Sequence, residues 1–414
     1  MAALNDHSLG LAIETTYGVA VAVDHFYEWL ESSALDFDPN TINSKGLRVG
    51  SRFPRASRRV GLVPKPSGKL NFELASRGFG VALQAAFGTA ASNAITGGFQ
   101  QLFTATTAGS TLPSFSAQEG LVRADGTVIA HTWRGCTVKS AEFGMPLADF
   151  LSLSLDVDAK AMHITRTVAD GATTTGTPNV TSATGAFTAN DVGVPISATG
   201  IPVAATIIAV VSATAVTISA NATATGSTLA MTIGSPYVTP TYPANATLYS
   251  STANPTLANI VLGGTMTVPT TTVLGSIAGG TTVAACKSWT LALDDGVTPR
   301  EAIGTRNQPT TGSRSGKITA MIEYDATTGT LLENAMINKT AMPLLLSAQT
   351  NEVITGSGFA TFQLAIPSTA IDQGAIPQPT SGGVATTSLT WSILDGEVAA
   401  AQLYGVLRTV DTAL

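Results

Sequence analysis

Charge is the first thing this chain is short of. Asp, Glu, Lys and Arg make up 12% of its 414 residues, about half of the roughly 25% usual in soluble domains. Aromatic residues are scarce too, at 6%, so the positive mean hydropathy of +0.27 comes from alanine and small aliphatics. The two cysteines, Cys136 and Cys286, exclude a disulfide framework and a structural zinc site. Long apolar runs are missing: Ile207-Ile208-Ala209-Val210-Val211 falls far short of the roughly 18 residues of a spanning helix. No membrane partner is therefore expected. The first ten residues hold Asp6 and His7 without a basic start or an apolar stretch, so no signal peptide is expected. A large protein made in a reducing compartment fits these shortages.

Catalytic groups are equally thin. His7, His25, His131 and His163 lie far apart, and none belongs to a metal-binding spacing. Gly312-Ser313-Arg314-Ser315-Gly316 places an arginine where a nucleophile elbow needs its serine. No phosphate-binding loop is present. Asp156 with Asp158, and Asp294 with Asp295, are close in sequence; acidic residues on the polar side of strands are ordinarily solvated. Both cysteines read as structural thiols. No catalytic residue, metal ligand or cofactor is assigned, and the chain reads as a non-enzyme.

What charge there is lies unevenly. Lys45, Arg48, Arg52, Arg55, Arg58, Arg59, Lys65 and Lys69 fall within one window, and residues 39–72 contain no Asp or Glu. That window takes 8 of the 21 basic residues, leaving 13 against 27 acidic, or −14 elsewhere. Gly46, Gly50, Gly61 and Gly68 with Pro54, Pro64 and Pro66 make the window an extended loop, 38–69, instead of a basic helix. It can be a solvated face, a nucleic-acid patch or a self-association arm. Only Phe53 interleaves the charges, too few rings for base stacking. The acidic remainder favours an arm that docks on another copy.

Alternation at period two predicts half-buried strands over 69–74, 152–158, 289–294, 317–324, 360–366 and 388–394. Two helices are expected. One covers 76–88, with Ser76 as cap, Phe79, Leu83, Ala86 and Phe87 on one face and Gly88 as terminator. The other covers 328–338, with Leu331, Leu332, Ala335 and Met336. They occupy matching places. Gly50-Ser51-Arg52, a loop, Ser67-Gly68-Lys69, a strand and a helix are echoed by Gly304-Thr305-Arg306, a loop, Ser315-Gly316-Lys317, a strand and a helix. This order suggests an internal duplication, two half-sheets packed into one barrel or sandwich. Between Thr167 and Cys286 only Asp170 and Asp191 are charged. Within it, β-branched runs separated by Thr/Ser/Ala/Gly turns predict a small all-β module at 169–234.

Several segments resemble the tail tube (major tail) proteins of tailed bacteriophages. They are Leu9-Gly10-Leu11-Ala12-Ile13-Glu14-Thr15-Thr16-Tyr17-Gly18, Phe26-Tyr27-Glu28-Trp29, Leu112-Pro113-Ser114-Phe115 and Trp133-Arg134-Gly135-Cys136-Thr137-Val138. Later come Lys287-Ser288-Trp289-Thr290-Leu291-Ala292-Leu293-Asp294-Asp295-Gly296 and Gly316-Lys317. The resemblance spans 8–165 and 236–410. Its implied fold is mainly β, a barrel or sandwich core with one or two flanking helices and a long extended loop. The tube core would run from 1–168 to 235–414, with 169–234 inserted on the outside.

The implied role is a structural virion protein, assembled in the bacterial host's cytoplasm. Hexameric rings of it would stack around a tape measure protein, between a tail tip or baseplate initiator and a terminator. Phage DNA would pass through the lumen without specific binding. The arm residues Lys45, Arg48, Arg52, Arg55, Arg58, Arg59 and Lys65 would make the contacts between rings or subunits. Asp156, Asp158, Glu323 and Asp325 are candidates for the lumen or for the arm's acidic partner surface. The competing reading is a virion adhesin or decoration protein whose inserted module binds the host surface.

Overall fold

The computed structural model describes residues 7–414 apart from 47–48, 50–52, 106–110, 252–259, 284–285, 303, 375–384, 398–399 and 412–413. The first part of the chain forms β1 (Ser8–Ile13), β2 (His25–Tyr27), β3 (Ala34–Asp38), β4 (Thr41–Asn43), β5 (Arg59–Gly61) and β6 (Lys65–Glu73). Helix α1 (Gly80–Phe87) follows, then β7 (Gly88–Ile95), β8 (Gly98–Ala105), β9 (Phe115–Val122), β10 (Val128–Met145), β11 (Ser152–Asp158) and β12 (Ala161–Ile164). Next come β13 (Arg166–Thr173), β14 (Asn179–Thr181), β15 (Ile196–Ser197), β16 (Ile207–Ser212), β17 (Ala215–Ile218) and β18 (Gly226–Ile233).

The last part holds β19 (Ile260–Leu262), β20 (Thr265–Thr267), β21 (Ser276–Ala278), β22 (Thr281–Thr282), β23 (Cys286–Asp294), β24 (Thr298–Ala302), β25 (Thr305–Thr310) and β26 (Ser315–Glu323). Helix α2 (Ala326–Asn338) precedes β27 (Met342–Ile354), β28 (Gly358–Gly374), β29 (Thr386–Ile393) and β30 (Tyr404–Thr409). The fold is mainly β, as the alternation predicts. All six expected strands are present, as β6, β11, β23, β26, β28 and β29.

The spine of the molecule is an antiparallel run β3·β6·β11·β10·β23·β26·β29·β28. Its register explains the alternation. One row across it is Phe72·Leu153·Phe143·Leu291·Ile318·Trp391, every side chain buried. The next row is Asn71·Ser154·Glu142·Ala292·Lys317·Ser392·Ala370, polar or small. A one-residue slip would exchange the two faces, so burial of one face locks the pairing.

Helix α1 lies under the apolar face. The expected one-sided helix is in fact buried all round, at Gly80, Val81, Ala82, Leu83, Ala85, Ala86 and Phe87, as befits a helix apolar on every side. It starts at Gly80, with Phe79 as N-cap. Ser76 does not cap it: the Ser76 hydroxyl donates to Glu352, and the Thr247 N–H donates to that hydroxyl at 3.1 Å. Gly88 closes the helix with φ 110°, as expected of a terminating glycine. Arg314 Nη1 and Nη2 donate to the last carbonyls, Phe87 O at 3.0 Å and Ala86 O at 3.1 Å, where a cation also meets the negative end of the helix dipole. Helix α2 begins two residues earlier than the sequence suggests.

Residues 166–233 build a separate six-stranded sheet, β15·β18·β13·β14·β17·β16. It has its own core, with Val180, Phe187, Ile207, Val216, Ile218, Met231 and Ile233 among the buried residues.

Candidate functional site: a polar sheet face and an exposed hairpin arm

The loop expected at 38–69 is a β-hairpin for part of its length. β4 and β5 pair through Thr41↔Gly61, Ile42↔Val60 and Asn43↔Arg59, beyond the β3–β6 pair at its base. A single 3-10 turn (Ala56–Arg58) leads into β5. Every residue of β4 and β5 is exposed. Apolar side chains are exposed beside the charges: Ile42 at 52%, Val60 at 55% and Phe53 at 84%. Such a mixed surface suits a protein partner better than free solvent.

Lys45, Arg55, Arg58 and Arg59 are exposed on this arm, and Arg59 Nη2 donates to Thr41 Oγ1 at 3.0 Å. Lys65 sits at the base, 3.2 Å from Glu301 of the same chain, so part of its charge is already matched within the subunit. Arg48 and Arg52 lie outside the described residues.

The four acidic candidates separate. Asp156 is half-exposed on the polar face, 3.2 Å from Lys139. Glu323 lies on the same face, 3.3 Å from Lys287. Asp325 is exposed beyond the end of β26. Asp158 is a correction: it is buried and offers no surface. The short β24–β25 hairpin folds over that end of β11, and Arg306 from β25 clamps the carboxylate. Arg306 Nη2 donates to Asp158 Oδ1 and Oδ2 at 2.7 and 2.6 Å, and Nη1 donates to Ala159 O at 2.9 Å. Strand alternation placed Asp158 correctly on the polar side, but the covering hairpin could not be read from it.

Taken whole, the polar face of the spine carries Asp36, Asp38, Glu73, Glu142, Asp156, Asp294, Glu323 and Asp372 against Lys65, Lys69, Lys139, Lys287 and Lys317. Between them lie Ser152, Ser154, Ser140, Thr290, Thr319, Thr390 and Ser392. Glu73 is pushed above the usual carboxylate range by partial burial, then by Asp149 and Glu28. Sequence reasoning named Asp156 and Glu323 of this face as candidates, read Asp294 as a solvated residue on the polar side of its strand, and missed Glu142 and Asp372. Only the register shows that strands 150 residues apart share it.

Buried polar groups elsewhere are structural. Glu14 accepts from Gly18 N, Ser114 Oγ, Ser116 Oγ and Gly135 N at 2.8 to 2.9 Å. Arg134 Nη1 donates to Gly18 O at 2.8 Å and Val192 O at 2.6 Å, fastening the six-stranded sheet to β10. Burial lowers the Arg134 guanidinium to about 10. Cys136 is buried and Cys286 half-buried. Burial raises the Cys136 thiol well above its ordinary value and the Cys286 thiol to about 11. Among the described residues no cluster of three or more His, Cys, Asp or Glu is placed to hold a metal, and no helix is long and apolar enough to cross a membrane.

A β-sheet scaffold with a continuous polar face and an exposed arm, tied together by structural ion pairs, has the architecture of a structural protein. The phage tail tube protein family matches residues 5–239, more than half of the chain, and the chain belongs to that family. It is a structural component of a virion tail and not an enzyme. The match runs through the six-stranded sheet as well as β1 to β12. No curated protein sequence is significantly similar. Solved structures are similar over part of the chain, two of them from gene transfer agent particles. One is a virion of a native gene transfer agent particle, 13% identical, with a TM-score of 0.22, covering 32% of this chain and 89% of that one. The other is a tail of an empty gene transfer agent particle, 15% identical, with a TM-score of 0.19, covering 28% and 81%.

Proposed function

We propose that this protein polymerises into stacked rings, each presenting six tube units around a channel, and that the polar face of the spine lines that channel. The observation that carries the reading is the face itself. It is continuous over the spine and rich in hydroxyls and small side chains. It holds eight carboxylates against five lysines, whereas a DNA-binding surface concentrates Lys and Arg against phosphates. The apolar face and α1 then form the wall. DNA passes this lining without specific binding, and a tape measure protein occupies the channel before it. Initiator and terminator proteins bound the tube, which assembles in the host cytoplasm.

The exposed arm, with Lys45, Arg55, Arg58 and Arg59 and the outlying Arg48 and Arg52, reaches an acidic surface of a neighbouring subunit. Head-to-tail contact of this kind propagates. The sheet of residues 169–234 is an inserted domain facing outward, clear of the channel.

Negative-stain electron microscopy of the purified protein at high concentration tests this, alongside whole particles. Rings or hollow tubes are expected, and the Arg58→Glu/Arg59→Glu variant should remain a folded subunit that fails to polymerise. Tubes of normal length from that variant would remove the arm from assembly. Dispersed monomers, with antibody labelling at the particle's tip instead of along the shaft, would overturn the tube reading in favour of an adhesin.

A further inference from the structure

The chain repeats its own topology. β1 pairs β2 and β9; β9 pairs β10; β10 pairs β11 and β12; β11 pairs β6; and β6 pairs β3. In the second part β19 pairs β22 and β27; β27 pairs β28; β28 pairs β29 and β30; β29 pairs β26; and β26 pairs β23. Each part carries a hairpin between its third and fourth counterpart strands, β4–β5 or β24–β25, and one helix after the fourth.

The register agrees residue by residue. Ala34-Leu35-Asp36 faces Lys69-Gly68-Ser67, and Ala292-Leu293-Asp294 faces Lys317-Gly316-Ser315. The central glycine is demanded by the facing backbone at Gly68 and only crowded by a side-chain tip at Gly316. A Cβ on Gly68 would sit 2.2 Å from Ala34 O, and one on Gly316 would sit 2.4 Å from Ile393 Cδ1.

The two units join where β8 pairs β30, from Thr104↔Tyr404 to Phe99↔Thr409, and along the spine through an internal seam, where β10 pairs β23 with Ser140↔Asp294, Ala141↔Leu293 and Glu142↔Ala292. The two ends of the spine carry the same strands unpaired. Among the described residues β3, the counterpart of β23, pairs only with β6. Residues 370–374 of β28, the counterpart of β10, pair only with β29. Superposing the registers sets Asp36 opposite Ala370 and Leu35 opposite Ile371. At the internal seam the counterparts Leu293 and Ala141 are buried, at 7% and 2% exposure, whereas Leu35 and Ile371 are each only partly buried.

Charge points the same way. At the internal seam a hairpin arginine, Arg306, meets Asp158 at the end of β11. The corresponding end of β29 carries exposed Asp395 and Glu397, and the corresponding hairpin is the basic arm.

We propose that the chain is two tube units in tandem, and that the outer edge of β3 in one copy pairs with residues 370–374 of β28 in the next. A ring of six units then takes three chains instead of six. This rests on the tube reading above and replaces the expectation of six chains. The occupant of each free edge is a second copy of this chain, because the internal seam already shows the pairing in the same register.

Cysteine cross-linking across the seam tests it: Asp36→Cys with Ala370→Cys in a Cys286→Ser background, Cys136 being buried. Tubes oxidised and then dissolved in detergent should give covalent dimers and closed trimers, and nothing larger. Bands continuing to hexamer would overturn the three-chain ring. A cross-link confined within monomers, or none in well-formed tubes, would overturn the seam. Should the variant not assemble, a reconstruction of wild-type tubes decides: three chains per ring supports the proposal, and six identical chains per ring overturn it while leaving the tube intact. If the wild-type protein forms no tube, the tube reading falls and the three-chain ring with it.

Discussion

At the scale of single residues, the buried charges hold the units together. Arg306 and Asp158 are both nearly inaccessible, and they pair through Arg306 Nη2 across the two units. Removing one partner strands the other charge in the core. Arg306→Leu should therefore cost about 3–5 kcal/mol, measured as a drop in the urea midpoint of the unassembled subunit. Arg306→Met with Asp158→Leu should regain most of the loss, since no charge is then left behind. Glu119 offers a pH test. Burial raises its carboxyl from 4.5 to about 7, even though Trp133 Nε1 donates to Glu119 Oε2 at 3.1 Å. A raised carboxyl favours the protonated form in the fold. The cost is absent below about pH 4.5, grows as pH rises to about 7, and is constant above. Glu119→Gln should gain stability over the wild type by up to about 3 kcal/mol at pH 8 and by little at pH 4. His163 runs the other way in both chains and cancels from that comparison. Its Nε2 accepts from Ser235 N at 3.1 Å, burial lowers it to about 3, and stability is lost as pH falls below about 6.5.

At the scale of elements, the six-stranded sheet has a core of its own and joins the rest at adjacent ends. Arg166 pairs with Ile233, and Thr165 Oγ1 donates to Ser235 O. Deleting residues 166–233 should leave a folded tube core that still polymerises, because the chain can close across that short gap. Circular dichroism and electron microscopy of the deletion check this; a shaft that thins or loses outer knobs is the expected picture, and an insoluble product would contradict it. The legible elements were those with one face buried and one face wet. Ser152–Asp158 alternates without a break and could be bounded from sequence. The three-residue strands β2, β4 and β5 carry too little pattern to be read; α1 was legible as a helix ending at Gly88, but its start at Gly80 and its burial on nearly every side were not. The Thr/Ser/Ala/Gly texture of residues 169–234 pointed to strands only through its β-branched runs. The Ser-Gly-Lys echo revealed a duplication, but the facing Ala-Leu-Asp triplets became its counterpart only once pairing was known. Long-range pairing, β10 with β23 above all, sets which acidic residues share a face, and local pattern carries no information about it.

At the scale of the whole molecule, the properties that matter belong to the polar face as a surface, since eight strands from two distant stretches of the sequence contribute its charged and hydroxyl groups. Its carboxylates are mostly offset by nearby lysines, so it repels phosphate weakly and binds it hardly at all. A small change of balance should reverse that. Glu142 and Glu323 both point from this face, on β10 and β26. The pair Glu142→Lys and Glu323→Lys leaves six carboxylates against seven lysines per chain, repeated in every copy of every ring. Neither side chain contributes to the apolar row that holds the strands in register, so assembly should be unaffected. The altered tubes should retain short duplex DNA at low salt and release it as salt rises, because the gain is electrostatic and screened. Wild-type tubes should retain none under the same conditions. Filter retention of labelled duplex across a salt series measures the difference. Equal retention by both tubes would mean that DNA does not meet this face and that the channel is lined by another part of the subunit.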